Sequence, residues 1–290
     1  MGDTERTNVV VVGAGASQEF ELPTGYDLAK AIAEFCRFEV DAFRNFKSGS
    51  RIFFSIIKSL SNNANHIGRF DAYENAAKQI ADNMPLAPSI DNFLHTHQDN
   101  PFLVEVGKIA ISACILEAEK ASILAVSNDN FYNKLAFENA EGTWIARYFS
   151  LLVTHRGFEE FLTALKKITF VSFNYDRCIE QFFHNAARSY FNLTDTDSKR
   201  INTALHVIHP YGSLGDIEWD GPQTRGFGAQ VNANNIESYV DRIKTFTEGA
   251  KSDKIGPLIR SALENCDLLI FFGVFVSSAK YEALGGQTAI

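Results

Sequence analysis

Three short stretches carry the residues best suited to chemistry. Gly13-Ala14-Gly15-Ala16-Ser17 follows the apolar run Asn8–Val12. Two glycines and two alanines behind a buried strand let the backbone approach a pyrophosphate, whose charge successive N–H groups can cradle. Ser17 adds a hydroxyl donor. The same five residues also suit a tight strand-to-helix turn with nothing bound. Ser172-Phe173-Asn174-Tyr175-Asp176 closes a second apolar run. Its Asn174 amide can hold a ribose hydroxyl or a water, with Asp176 orienting Asn174 and the loop. The competing role is an Asx turn that caps the next helix. His209 closes a third run, before Pro210, Tyr211 and the pair Gly212-Ser213. Imidazole is the side chain best matched to accept a proton near neutral pH.

Other chemistries fit less well. A dinucleotide-binding dehydrogenase needs a third glycine, which would fall at Gln18, and a helix that starts inside the glycine run, whereas the clearest cap is Thr24. Its ribose-binding acid would be Glu39 or Asp41, in a stretch with no strand signal. There is no phosphate loop with Gly-Lys-Ser/Thr, no H-E-x-x-H and no G-x-S-x-G. His95 and His97 sit in an expected helix, where that spacing places them on different faces. His66, His155, His184 and His206 read as structural or surface residues. Cys36, Cys114, Cys178 and Cys266 are scattered without C-x-x-C spacing, which argues for reduced, packed thiols and against a structural zinc. No metal is expected.

The elements that must position these residues follow from periodicity. Asn8–Val12 predicts a buried parallel strand that stops at Gly13. Thr24-Gly25-Tyr26-Asp27, behind Pro23, predicts a capped helix with Leu28, Ile32 and Phe35 on one face. From about Val40 to Leu165 the pattern is mostly helical. Segments are expected around Ile52–Leu60, at Phe70–Met84, from Asn100-Pro101 to about Val126, and at Phe158–Leu165, with loops at Met84–Ser89 and Ser127–Asn130. Strands are expected at Ile168–Phe173, Ala204–Ile208 and Asp267–Phe272, the last ending at Gly273. A glycine-rich loop near Asp220–Gly228 and two helices lie between the last two. Strands alternating with helices predict an α/β fold: a Rossmann-like parallel sheet with helices on both faces, and a large helical insertion. Residues 1–39 and 166–290 would form the Rossmann-like domain, and residues 40–165 the helical subdomain. Ligands of such sheets bind outside the carboxyl ends of the strands, where every unusual motif here falls.

The chain has 290 residues, ample for a sizeable core, and 25 of them are Phe. Its formal net charge of −8 is a poor footprint for binding nucleic-acid backbone. The apolar runs near the start and at Leu268–Val276 are too short for a signal peptide or a membrane span. A cytoplasmic protein is expected.

The ordered set Gly13-Ala14-Gly15-Ala16-Ser17, Ser172-x-Asn174-x-Asp176 and His209 with Gly212-Ser213 resembles sirtuin-like NAD-binding domains. Pro23-Thr24-Gly25 and Ser89-Ile90-Asp91-Asn92-Phe93-Leu94 resemble the bacterial branch found in anti-phage defence. Sirtuin deacetylases carry a four-cysteine zinc module, which this sequence lacks. The resemblance therefore implies an NAD+ glycohydrolase acting in abortive infection, with NAD as substrate. It implies that Gly13, Ala14, Gly15, Ala16 and Ser17 hold the pyrophosphate. Asn174 would sit at the nicotinamide ribose, and His209 would be the catalytic base. Asp176, Gly212, Ser213 and Gly273 would complete the cofactor site. It also implies a homo-oligomer or a separate partner, such as a HerA-type motor ATPase or an Argonaute-like subunit. Members of the family place His directly before Gly-Ser. Tyr211 holds that place here, and His209 lies two residues earlier. The alternatives are a silent NAD or ADP-ribose sensor and a zinc-less NAD-dependent deacylase, with a plain dehydrogenase a weaker third.

Overall fold

A computed structural model describes residues 7–62, 69–126, 135–219, 226–245, 248 and 255–274. The central strand is β1 (Asn8–Val12), a run of four valines after Asn8 whose side chains are at most 1% exposed. A parallel strand buried on both faces reads as such a continuous apolar run. On one side β1 pairs in parallel with β4 (Ile168–Ser172), which in turn pairs with β5 (His206–Ile208). On the other side it pairs in parallel with β6 (Leu268–Phe272). The sheet order is therefore β5-β4-β1-β6. Since β4 and β5 lie to one side of β1 and β6 to the other, the winding direction reverses at β1. Helices flank this sheet, as the alternation of strand and helix signals predicts.

The chain divides into two compact units. The first comprises residues 1–22, 121–210 and 249–290. Besides the sheet it holds α1 (Ala14–Ser17), α7 (Trp144–Val153), α8 (Phe158–Leu165), α9 (Cys178–Tyr190), α10 (Asp195–Ala204) and α12 (Ile255–Glu264). Its core is a web of rings. Phe149 meets Phe161, Phe182 and Phe183 edge-on at centroid distances of 5.6 to 6.0 Å, and Phe170 contacts Phe183 at 5.5 Å. Each fully buried ring contributes about 2–3 kcal/mol of apolar burial.

The second unit comprises residues 23–120 and 211–248. It contains α2 (Gly25–Phe35), α3 (Arg51–Asn62), α4 (Arg69–Asn83), α5 (Ile90–Thr96), α6 (Pro101–Ala121, whose last residue belongs to the first unit) and the short α11 (Glu237–Val240). The expected cap of α2 is present. Thr24 accepts the Asp27 N–H, and Asp27 accepts the Thr24 N–H in return. Asn100 likewise accepts the Leu103 N–H at the start of α6.

Four expectations are corrected. Where helix is expected after Val40, β2 (Phe38–Val40) and β3 (Phe46–Gly49) form an antiparallel hairpin. Its turn is held by Asp41, whose carboxylate accepts the N–H groups of Phe43 and Asn45, and its Phe38 and Phe46 pack on Phe54 of α3. A helix does start inside the glycine run, at Ala14, in addition to the one capped by Thr24. The helix begun at Pro101 stops at Ala121 rather than Val126, where Ser122 donates its hydroxyl to the Phe20 carbonyl and accepts the Leu124 N–H. The compact units do not divide at residues 40 and 165. Helices α7 and α8 belong with the sheet, because their aromatic faces are part of its core. The expected loops at Ser127–Asn130 and at residues 220–225 lie outside the described residues. No helix among the described residues is long and apolar enough to cross a membrane.

Candidate functional site

The carboxyl ends of β1, β4 and β5 are neighbours because those strands are adjacent in the sheet. Three of the residues singled out from the sequence, Ser17, Asn174 and His209, meet there. Ser17, buried on α1, accepts a hydrogen bond of 2.8 Å from the Asn174 amide, which follows β4 and is also buried. The Asn174 carbonyl lies 2.9 Å from Nδ1 of His209, the residue after β5. The glycine turn, the Asn-x-Asp stretch and the histidine are thereby joined in one chain of contacts.

A residue not singled out from the sequence completes it. Glu180, in the first turn of α9, places Oε1 3.1 Å from Nε2 of His209. Its other oxygen, Oε2, is buried with no hydrogen-bond partner among the described residues. The only signal in the sequence is its position four residues after Asp176, just inside the helix that follows the strand-end motif. Both atoms facing the imidazole, a carbonyl and a carboxylate oxygen, are acceptors, so both ring nitrogens carry hydrogen when the carboxylate is ionised. Burial of the ring disfavours its charged form. The hydrogen bond and charge of Glu180, with the Asn174 carbonyl and the charge of Asp176, outweigh burial and raise the His209 pKa above the usual histidine value. This arrangement favours the imidazolium form of His209, and the ring acts as a base only once its two nitrogens no longer both carry hydrogen.

Asp176 follows the blander of its two readings. Its carboxylate accepts the Cys178 N–H in an Asx-type turn at the start of α9. Arg177, beside it, is fully buried, and nothing in the local pattern marked it out. The glycines also have a structural explanation. A Cβ on Gly13 would come within 2.6 Å of the Gly273 carbonyl oxygen, and one on Gly15 within 3.0 Å. The Gly15 N–H donates to that carbonyl at 3.1 Å, and the Ala16 N–H to the Gly13 carbonyl at 2.9 Å. Trp144 donates its indole N–H to the Ala16 carbonyl and stacks on Phe272 at 4.5 Å. The Gly13 N–H donates to the Phe272 carbonyl at 3.0 Å, so the turn is braced against the end of β6 and the loop after it, and three of its N–H groups are committed within the protein. Gly15 itself is exposed and Ala14 partly so.

Tyr211, Gly212 and Ser213 belong to the second unit. Gly212 has φ +72° and lies so close to the Arg242 carbonyl that a side chain has no room. The Tyr211 carbonyl accepts the Lys244 N–H, and Ser213 accepts the Gly215 N–H. The Tyr211 hydroxyl is pushed well above the usual phenol range, first by burial and then by the negative charge of Asp91. It is a neutral phenol at physiological pH and a poor proton acceptor.

Two clefts in the first unit share no residue with this site. One, of about 290 Å³, is lined by Phe137, Phe149, Phe182 and Tyr190. The other, of about 450 Å³, lies at the amino ends of β1 and β4. Two of the other histidines have local partners: His184 hydrogen-bonds Asn202, and His97 contacts the Phe93 carbonyl, while His66 lies outside the described residues. All four cysteines are free thiols. No protein-family model, curated protein or solved structure matches the chain.

Proposed function

We propose that the chain is an NAD+ glycohydrolase. The observation that carries this reading is the link from Ser17 through Asn174 to His209 across the carboxyl ends of three adjacent parallel strands. That is where open α/β sheets take their ligands. In the reaction the bond between the ribose C1′ and the pyridinium nitrogen breaks, and its electron pair neutralises the ring. Water oxygen bonds to C1′, and one proton is released, giving nicotinamide and ADP-ribose. The transition state is oxocarbenium-like, so catalysis needs an oriented ribose and a placed water more than a strong acid. Asn174 suits the ribose, the glycine turn the pyrophosphate, and His209 the released proton. Abortive anti-phage defence, self-association and a separate partner subunit belong to the same reading, because an enzyme that consumes NAD must be restrained.

The test is to incubate the purified chain with NAD+ and separate the products. Nicotinamide with ADP-ribose in equal amounts is the expected result. A second reading, binding of NAD or ADP-ribose without turnover, is favoured by the occupied ring nitrogens of His209. Calorimetric binding of NAD+ with no nicotinamide released is its signature.

A further inference from the structure

The contact between Glu180 and His209 carries a consequence for the site's pH behaviour. We propose that Glu180 is a positioning residue for His209: carboxylate and imidazole share one proton, and Glu180 decides the pH above which the ring can act as a base. This rests on His209 serving the proposed reaction, but its physical core does not.

The geometry is specific. The ring is gripped at both nitrogens, at 2.9 Å by the Asn174 carbonyl and at 3.1 Å by Glu180 Oε1, and its side chain is only 10% exposed. It has no room to rotate without breaking one contact. The charged groups that face it among the described residues are Glu180, from the first turn of α9, and Asp176, from the loop after β4. Both are acidic. Asp176 is engaged with the Cys178 N–H, whereas Glu180 contacts the ring directly. The unpartnered Oε2 of Glu180 is a buried acceptor. A buried carboxylate oxygen in that position is tolerated most readily when a cation lies against the other oxygen, and the protonated His209 ring would supply one.

The sign follows from the pairing. Glu180 favours the protonated ring, so the neutral ring appears only above the raised pKa, and any step needing it weakens as pH falls through that value. Glu180→Gln keeps an oxygen that accepts the Nε2 hydrogen but removes the charge. His209 then titrates at a lower pH than in the unsubstituted chain. The acidic limb of the NAD cleavage profile moves to lower pH by the same amount.

The decisive measurement is an NMR titration of the histidine ring signals in the full chain, with the His209 signal identified by its loss in His209→Gln. A pKa above about 6.5 in the unsubstituted chain, falling in Glu180→Gln, supports the proposal whether or not the chain cleaves NAD. An unchanged His209 titration in Glu180→Gln, or a value below the usual one in the unsubstituted chain, overturns it. Should Glu180→Gln fail to fold, the unsubstituted titration decides alone. Absence of NAD cleavage beside a shifted titration counts against the glycohydrolase reading and leaves the pair intact.

Discussion

Asn174 bears more structural weight than its place at a strand end suggests. Its amide is buried and donates to Ser17, which is buried as well. Truncation removes one hydrogen bond and leaves the serine hydroxyl without that donor, a loss of about 1–2 kcal/mol. Asn174→Ala is therefore expected to remain folded but to melt a few degrees lower, while NAD cleavage falls about 100-fold or more, as for the loss of a positioned donor. Thermal denaturation read beside nicotinamide release checks both. Full activity in this variant would leave Asn174 a packing residue only. Tyr211 supplies the contrast. Its phenol stays neutral at physiological pH, held there by burial and Asp91. Tyr211→Phe is expected to keep NAD cleavage within a few-fold of the unsubstituted chain, whereas His209→Ala loses it. The opposite ranking would return the base role to the position directly before Gly212.

Among the elements, the loop after β1 and the loop after β6 are built as a pair. Gly273 has φ +57°, and a Cβ there would stand 1.9 Å from the Ala16 nitrogen. Because the obstacle is backbone, a rotamer change cannot relieve it. Gly273→Ala is expected to cost roughly 2–4 kcal/mol, from the left-handed backbone and the overlap together. Gly13→Ala acts from the other side of the same contact and should also destabilise. Urea denaturation in the absence of any nucleotide reads both values. A full loss without ligand shows that the glycines are required by packing. Unchanged stability together with weaker NAD binding would make them a phosphate cradle alone. Gly15 is exposed and Ala14 partly so, but the Gly15 N–H is already given to the Gly273 carbonyl, so Gly15 meets a ligand by its open surface and not by its N–H.

The chain builds each compact unit from segments far apart in sequence. The sheet needs β1 between β4 and β6, and β1 lies within the first 22 residues, some 150 residues before β4. Removing residues 1–22 deletes the central strand and separates β6 from β4. It also removes the Ala16 carbonyl that holds Trp144. The shortened chain is expected to lose cooperative unfolding of the first unit. Its Trp144 emission should shift to the red, as the indole that stacks on Phe272 becomes exposed to water. A native-like emission maximum and a single sharp melt would contradict the dependence of the sheet on β1.

The sequence by itself determined the local pieces. The valine run predicts β1, Thr24 and Asp27 predict the capped start of α2, Asn100-Pro101 predicts the start of α6, and Phe158–Leu165 coincides with α8. Each rests on interactions within a few residues, which is why pattern and spacing reveal them. They also indicated that Gly13–Ser17, Asn174 and His209 would lie at strand ends. The tertiary structure decided what these residues touch. No pattern indicates that Asn174 reaches Ser17, 157 positions earlier, or that Glu180 on α9 grips the His209 ring. The hairpin at Phe38–Gly49 was hidden for the same reason: its rings take their place from α3, not from local alternation. The protonation of His209 belongs wholly to the fold. A histidine in isolation titrates near neutrality, and the added proton affinity comes from a carboxylate and a carbonyl that only the packing of β4, β5 and α9 brings to its two nitrogens.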